Sequence, residues 1–156
     1  ALCGDTSRAV PFVDRLRRAS PEVTMLVKVW LPVIGAASAL QRGHAAAAVA
    51  ALRVTTPYEG AAESWPIYVR GLALLQARDG VAAQIEFQKI IDHPGRTFGL
   101  PLSPLSRLGL ARAKTVAGDV EGARRAYEGL FAAWKDADAD LPVMVAARKE
   151  YARLSR

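Results

Sequence analysis

A short pattern recurs along this chain and constrains the fold more than any other feature. It appears as Gly4-Asp5-Thr6-Ser7-Arg8-Ala9, as Gly43-His44-Ala45-Ala46-Ala47-Ala48, as Arg78-Asp79-Gly80-Val81-Ala82-Ala83, and most fully as Gly118-Asp119-Val120-Glu121-Gly122-Ala123. Each copy is a tight polar turn with a small residue four positions after the acid or the His that replaces it. The turn residues Asp5, His44, Asp79 and Asp119 lie 39, 35 and 40 residues apart. That period is too short for separate domains and suits stacked helical hairpins, in which each unit buries its apolar face only against its neighbours.

The residues between the turns favour helix over strand. Asn is absent, Ala runs such as Ala45–Ala51 are frequent, and Gly and Pro mostly stand between the apolar segments. Eight helical segments are predicted, over 5–18, 22–42, 44–55, 64–78, 80–92, 103–117, 119–135 and 142–155. The resulting domain is all-α: a truncated repeat at 1–21, repeats at 22–56, 64–94 and 103–136, and a capping helix at 142–156. In the last of these, Val143, Ala147, Tyr151 and Leu154 form an apolar stripe. Arg148, Lys149, Glu150 and Arg153 form a charged one, the polar outer face that an end unit requires. The connectors Thr55–Ser64 and Asp92–Pro104, rich in Pro and Gly, fall on one edge of the stack and are either functional loops or spacers.

At this point the residues resemble the tetratricopeptide repeat family, whose hairpin of about 34 residues needs small side chains where its two helices touch. With Asp119 at the sixteenth position, Ala111 falls at the eighth, Ala123 at the twentieth and Tyr127 at the twenty-fourth. The preceding units supply Gly71, Ala83 and Phe87, and before them Ala36, Ala48 and Leu52. Ala9 and Pro21 fit the truncated first unit. Departures are the family's tryptophan position, held by Pro32, Ile67 and Arg107, and the longer spacings, with extra residues around Thr24–Lys28 and before Leu105. The resemblance implies a right-handed α-α superhelix. Its concave face would carry Trp30, Val33, Ala37, Leu40 and Gln41, then Trp65, Tyr68, Leu72, Leu75 and Gln76, then Leu105, Leu108, Arg112, Thr115 and Val116.

Longer strings, among them Thr56-Pro57-Tyr58-Glu59, Glu86-Phe87-Gln88-Lys89-Ile90-Ile91-Asp92-His93 and Ala133-Trp134-Lys135-Asp136-Ala137-Asp138, resemble the C-terminal repeat region of large bacterial serine/threonine kinases of the eukaryotic type. There the kinase domain is N-terminal and often separated by a membrane segment, so the resemblance is compatible with either side of a membrane and implies a recruiting or sensing role. The chain opens inside a repeat without an initiator Met and reads as a piece of a larger protein. Kinase signatures are missing: there is no Gly-rich phosphate loop, no His-Arg-Asp and no Asp-Phe-Gly.

Catalytic and metal chemistry find little support in the residues. His44 occupies a turn position and His93 a helix end, where a donor near free carbonyls is explanation enough. Cys3 is the single cysteine. The alternating carboxylates Asp136, Asp138 and Asp140 resemble the start of a calcium loop, but Leu141 and Ala147 stand where that loop needs Gly and Glu. No cofactor or metal is expected. The apolar stretch Val23–Leu40 is interrupted by Lys28 and Pro32 and reads as a buried helix, not a membrane span.

What remains is an interaction module. The candidate groove residues are Trp30, Val33, Gln41, Trp65, Tyr68, Leu72, Gln76 and Arg112, an aromatic and aliphatic surface with one cation, suited to an apolar helix or extended segment of a partner protein or of the parent chain. A second possibility is a homodimer through the N-terminal edge at Val10, Phe12, Val13 and Leu16. A third is a regulatory domain of a DNA-linked protein. The net charge of +6 is spread over every segment among Glu and Asp, so nucleic acid is not the expected partner.

Overall fold

Three of the recurring turns share one backbone solution. The computed structural model describes residues 6–97 and 99–154, with side chains from residue 11 onward. Cys3 and, of the first copy, Gly4 and Asp5 lie outside the described residues, as do the side chains of Ala9 and Val10. At each of the other turns one residue adopts the left-handed conformation: Gly43 (φ 78°), Arg78 (φ 63°) and Gly118 (φ 81°). The next amide donates back across the helix end, His44 to Ala39, Asp79 to Leu74 and Asp119 to Lys114, each at 2.9 Å. This double-bonded helix stop satisfies carbonyls that would otherwise be orphaned.

The acid then starts the following helix. Asp79 accepts from the Ala82 amide at 3.0 Å and Asp119 from the Gly122 amide at 2.8 Å, the N-cap bond that short acids favour. His44 makes no such bond.

Between the turns the described chain is all helical. Its α-helices are α1 (Thr6–Ala19), α2 (Leu31–Gln41), α3 (Ala45–Ala51), α4 (Trp65–Gln76), α5 (Gly80–Asp92), α6 (Leu102–Val116), α7 (Val120–Ala133) and α8 (Pro142–Arg153). Pairs α2–α3, α4–α5 and α6–α7 form hairpins, α3 packs on α4 and α5 on α6, and α2–α4 and α4–α6 also touch. Side chains at the small positions Ala36, Ala48, Ala83, Ala111 and Ala123 are fully buried.

The centre of the stack is Phe87 on α5. It is completely buried, and its ring lies where any side chain at Gly71 of α4 or Gly109 of α6 would collide: a Cβ at these positions would sit 2.8 and 2.5 Å from the ring carbons. Two glycines thus let one aromatic side chain bring α4 and α6 to the same ring. Gly80 serves the same end at the turn, because a Cβ there would meet the Ala113 carbonyl of α6 at 2.5 Å.

The extra residues of the longer spacings are absorbed by non-standard helix. Leu26–Trp30 form a π-helical turn, in which the Leu31 amide reaches Leu26, and such a turn accommodates an inserted residue just ahead of Pro32. The connector expected as a loop from Thr55 is instead a 3₁₀ helix over Leu52–Ala61. Buried Leu52 and Thr55 fasten it, the Thr55 hydroxyl donating to the Leu52 carbonyl at 2.7 Å. Arg70 of α4 completes the attachment by pairing with Glu59 of this connector and with Glu86 of α5 at 2.8 Å, while Lys89 holds the other Glu86 oxygen at 2.8 Å. Burial pulls the Arg70 guanidinium towards a lower pKa, and its two carboxylate partners outweigh that and raise it.

At the C-terminal end Met144 and Ala147 of α8 are buried against Leu108, Tyr127 and Leu130. Tyr151 stands edge-on to Tyr127 and Phe131, with centroids 6.0 and 5.6 Å away. The apolar stripe expected at Val143, Ala147, Tyr151 and Leu154 of α8 does face inward. Glu150, expected on the outer face, instead turns inward to Arg112 and Tyr127.

Gly109→Ala should cost about 1–3 kcal/mol by overpacking, and adding Phe87→Leu should recover part of that loss, a coupling read from a double-mutant cycle in urea. His44→Asp, which installs the missing cap, should raise stability by about 1 kcal/mol; no gain in the denaturation midpoint would show that the turn at Gly43 differs from its two counterparts.

Candidate functional site

Four residues of α4, Trp65, Tyr68, Leu72 and Gln76, are spaced by three or four and share one helical stripe. With Leu40 and Gln41 from the end of α2 and Leu105 from α6 they line a cleft of about 600 Å³. Gln76 crosses from α4 to α2, its Nε2 donating to the Leu40 carbonyl at 3.1 Å. Trp65 meets Tyr68 edge-on at 6.3 Å, and Tyr68 meets Phe87 at 6.0 Å. The aromatic side chains therefore have one edge in the core and one in the cleft, which fixes their orientation before any ligand arrives.

Of the eight groove residues expected from sequence, five converge here: Gln41, Trp65, Tyr68, Leu72 and Gln76. Val33 is buried in the core shared by α2, α3 and α4, so its side chain is not on the groove surface. Trp30 lies on the π-helical turn, half-buried, and is not among the lining residues. Arg112 belongs to a neighbouring cleft of about 470 Å³ with Thr115, Val116, Tyr127, Glu150, Arg153 and Leu154.

Arg112 is engaged within the chain. Its Nε and Nη2 donate to the two carboxylate oxygens of Glu150 at 2.9 and 2.8 Å, and the Tyr127 hydroxyl donates to the same carboxylate at 2.7 Å. Read from the sequence, Glu150 belonged to the charged outer stripe of α8; in the structure it turns inward and ties α8 to α6 and α7. Burial pushes the Glu150 carboxyl up, but the bonds from Arg112 and Tyr127 prevail and hold it below the usual carboxylate range. Burial, reinforced by Glu150, raises the Tyr127 phenol well above its ordinary value.

The remaining cleft is uncharged. Its one titratable group, Tyr68, is raised by burial with Arg112 acting weakly against it, so it presents a neutral hydroxyl at physiological pH. Apolar walls with two amides and one phenol can bury an apolar side chain and bond a peptide backbone. They offer no nucleophile paired with a base.

The other candidates occupy ordinary structural places. His44 is exposed at its turn, and His93 donates through Nδ1 to the Lys89 carbonyl at 2.9 Å, at the end of α5. Among the described residues no three His, Cys, Asp or Glu side chains are grouped to hold a metal ion, and no helix is long and apolar enough to cross a membrane. No protein-family model, curated protein or solved structure matches the chain.

The Arg112–Glu150 pair carries a pH signature. Because the folded carboxyl is depressed below its ordinary value of 4.5, its stabilisation is present above the unfolded pKa and is lost as pH falls through the lower folded value. Both groups are partly exposed, so screening limits the effect to about 1 kcal/mol or less. Glu150→Gln should lower stability at pH 7 by that amount and flatten this part of the acid limb; an unchanged pH dependence would mean that the pair contributes nothing.

Proposed function

We propose that the chain is a tetratricopeptide-like repeat domain that acts as a non-catalytic interaction module, holding an apolar, uncharged peptide segment in the cleft of α2, α4 and α6. The observation that carries this reading is the cleft itself. Five residues chosen from repeat position, drawn from α2 and α4, face one space of about 600 Å³, and the space contains no ionised side chain. A cleft of that size takes one or two large side chains together with the backbone that bears them.

Three further features support the repeat assignment: the shared turn geometry, the burial of the small positions, and the packing of each helix on its sequence neighbours. Arg112 is committed to Glu150, which argues against an acidic peptide as ligand. The resemblance to kinase C-terminal regions makes recruitment or sensing within a bacterial signalling protein the setting in which such a module would serve.

Self-association is the second reading, and one observation favours it. Phe12 and Leu16 of α1 and the nearby Val23 are 58%, 41% and 52% exposed, an unusual concentration of large apolar surface on one segment.

Peptides selected from a random display library should share a large apolar anchor flanked by uncharged positions. Leu105→Glu and Gln41→Glu, which place a charge in the cleft from half-buried and exposed positions, should weaken them tenfold or more while the helical circular dichroism and the thermal melt stay unchanged. Peptides that bind both variants as well as the parent would move the interaction away from this cleft, and a concentration-dependent dimer abolished by Phe12→Glu would favour the second reading.

A further inference from the structure

A second site lies on the other side of α6. Arg107, Leu110 and Lys114 share a stripe about half a helical turn away from Leu105 and Arg112. With Gln88 of α5 and Arg125 of α7 they line a cleft of about 240 Å³. We propose that this cleft binds a phosphate monoester.

Charge is the first ground. Arg107, Lys114 and Arg125 contribute three positive charges, and the one carboxylate bonded among them is Asp119, which accepts from Lys114 at 2.9 Å. No carboxylate is among the residues that line the cleft. Asp119 is held below the usual carboxylate range first by its bond from Lys114 and then by the Gly122 amide, with Arg125 adding a smaller through-space pull, so it stays ionised and is already committed. Elsewhere the half-buried and buried cations are matched: Arg70 with Glu59 and Glu86, Lys89 with Glu86, Arg112 with Glu150. Arg107 makes no hydrogen bond or ion pair among the described residues. The carboxylates nearby in sequence, Asp92 and Glu128, keep their charge but bond neutral donors, Gln88 at 2.7 Å and Tyr151 at 2.8 Å, and neither pairs with a cation of the cleft.

Shape is the second ground. Arg107 does not trail into solvent; it is half-buried, and its Nη1 lies 3.4 Å from where a Cβ of Gly129 would stand, so the guanidinium is laid against α7. Arg107 and Lys114 are separated by about 10 Å of helix rise, with Arg125 on the facing helix. Like charges gathered along one cleft repel, and an anion entering between them removes that cost. A phosphate monoester carries about −1.5 to −2 charge at pH 7 and offers three acceptor oxygens, which suits a lining with three cations and the fork geometry of arginine. A carboxylate supplies half of that charge.

The test compares the melting temperature of the whole chain in about 20 mM inorganic phosphate with that in chloride of equal ionic strength. Phosphate should raise it by about 2–4 °C, and the double variant R107Q/R125Q, whose own melt in chloride reports that it folds, should lose that rise. General salting effects would act on both proteins alike. A response to O-phosphoserine but not to phosphatidate-containing vesicles places the group on a soluble ester, and the converse places it on a lipid; either supports the site. Equal shifts in phosphate and chloride, or a phosphate response retained in the double variant, would overturn it.

Discussion

The rest of the structure depends on the insertion of Phe87 between two glycines. An aromatic side chain on α5 is buried against the helix before it and the helix after it because Gly71 and Gly109 remove the atoms that would hold those helices away. The contact costs something locally, since glycine lowers helix propensity by about 1 kcal/mol relative to alanine. It gains full burial of an aromatic ring, worth about 2–3 kcal/mol by area alone. More important is its reach: the ring touches α4 and α6 together and so brings the first helices of successive hairpins side by side. Leu105 therefore stands near Tyr68 and Leu72, and a cleft exists.

The cleft and the core are consequently parts of one aromatic chain, from Trp65 through Tyr68 to Phe87. Trp65 and Tyr68 belong to groove and core at once, lining the cleft while packing on the buried clusters, whereas Phe87 is core alone. A substitution at Tyr68 or Leu72 would disturb packing and recognition together, whereas Gln41 and Leu105 border the space without joining the buried clusters. This division follows from helix geometry, in which a stripe wide enough to meet two neighbours leaves its flank exposed between them.

Much of the fold was legible in the sequence because its determinants are local. A left-handed residue and a small side chain five positions later mark each of the three described turns, and a capping acid marks those at Asp79 and Asp119, without knowledge of anything distant. The Glu150 contact was not legible in that way: periodicity places it among the charged residues of α8, and only the arrival of Arg112, 38 residues earlier, turns it inward. Arg70 is a similar case, a cation on an apolar helix whose carboxylates come from a connector and from α5. The π-helical turn at Leu26–Trp30 was visible only as extra length. Val33 shows the converse limit, since repeat position placed it in the groove while the neighbouring hairpin buried it. Arg107, noted in the sequence only as a departure from the repeat pattern, acquires meaning from the facing α7.

The central claim, that one buried ring joins three helices, is tested most directly by nuclear Overhauser contacts from the Phe87 ring protons. Cross-peaks to the α-protons of both Gly71 and Gly109, with those protons displaced by the ring current and returned to ordinary positions in Phe87→Leu, are the predicted result. Cross-peaks to one glycine alone, or to neither, in a protein that is otherwise folded would contradict it.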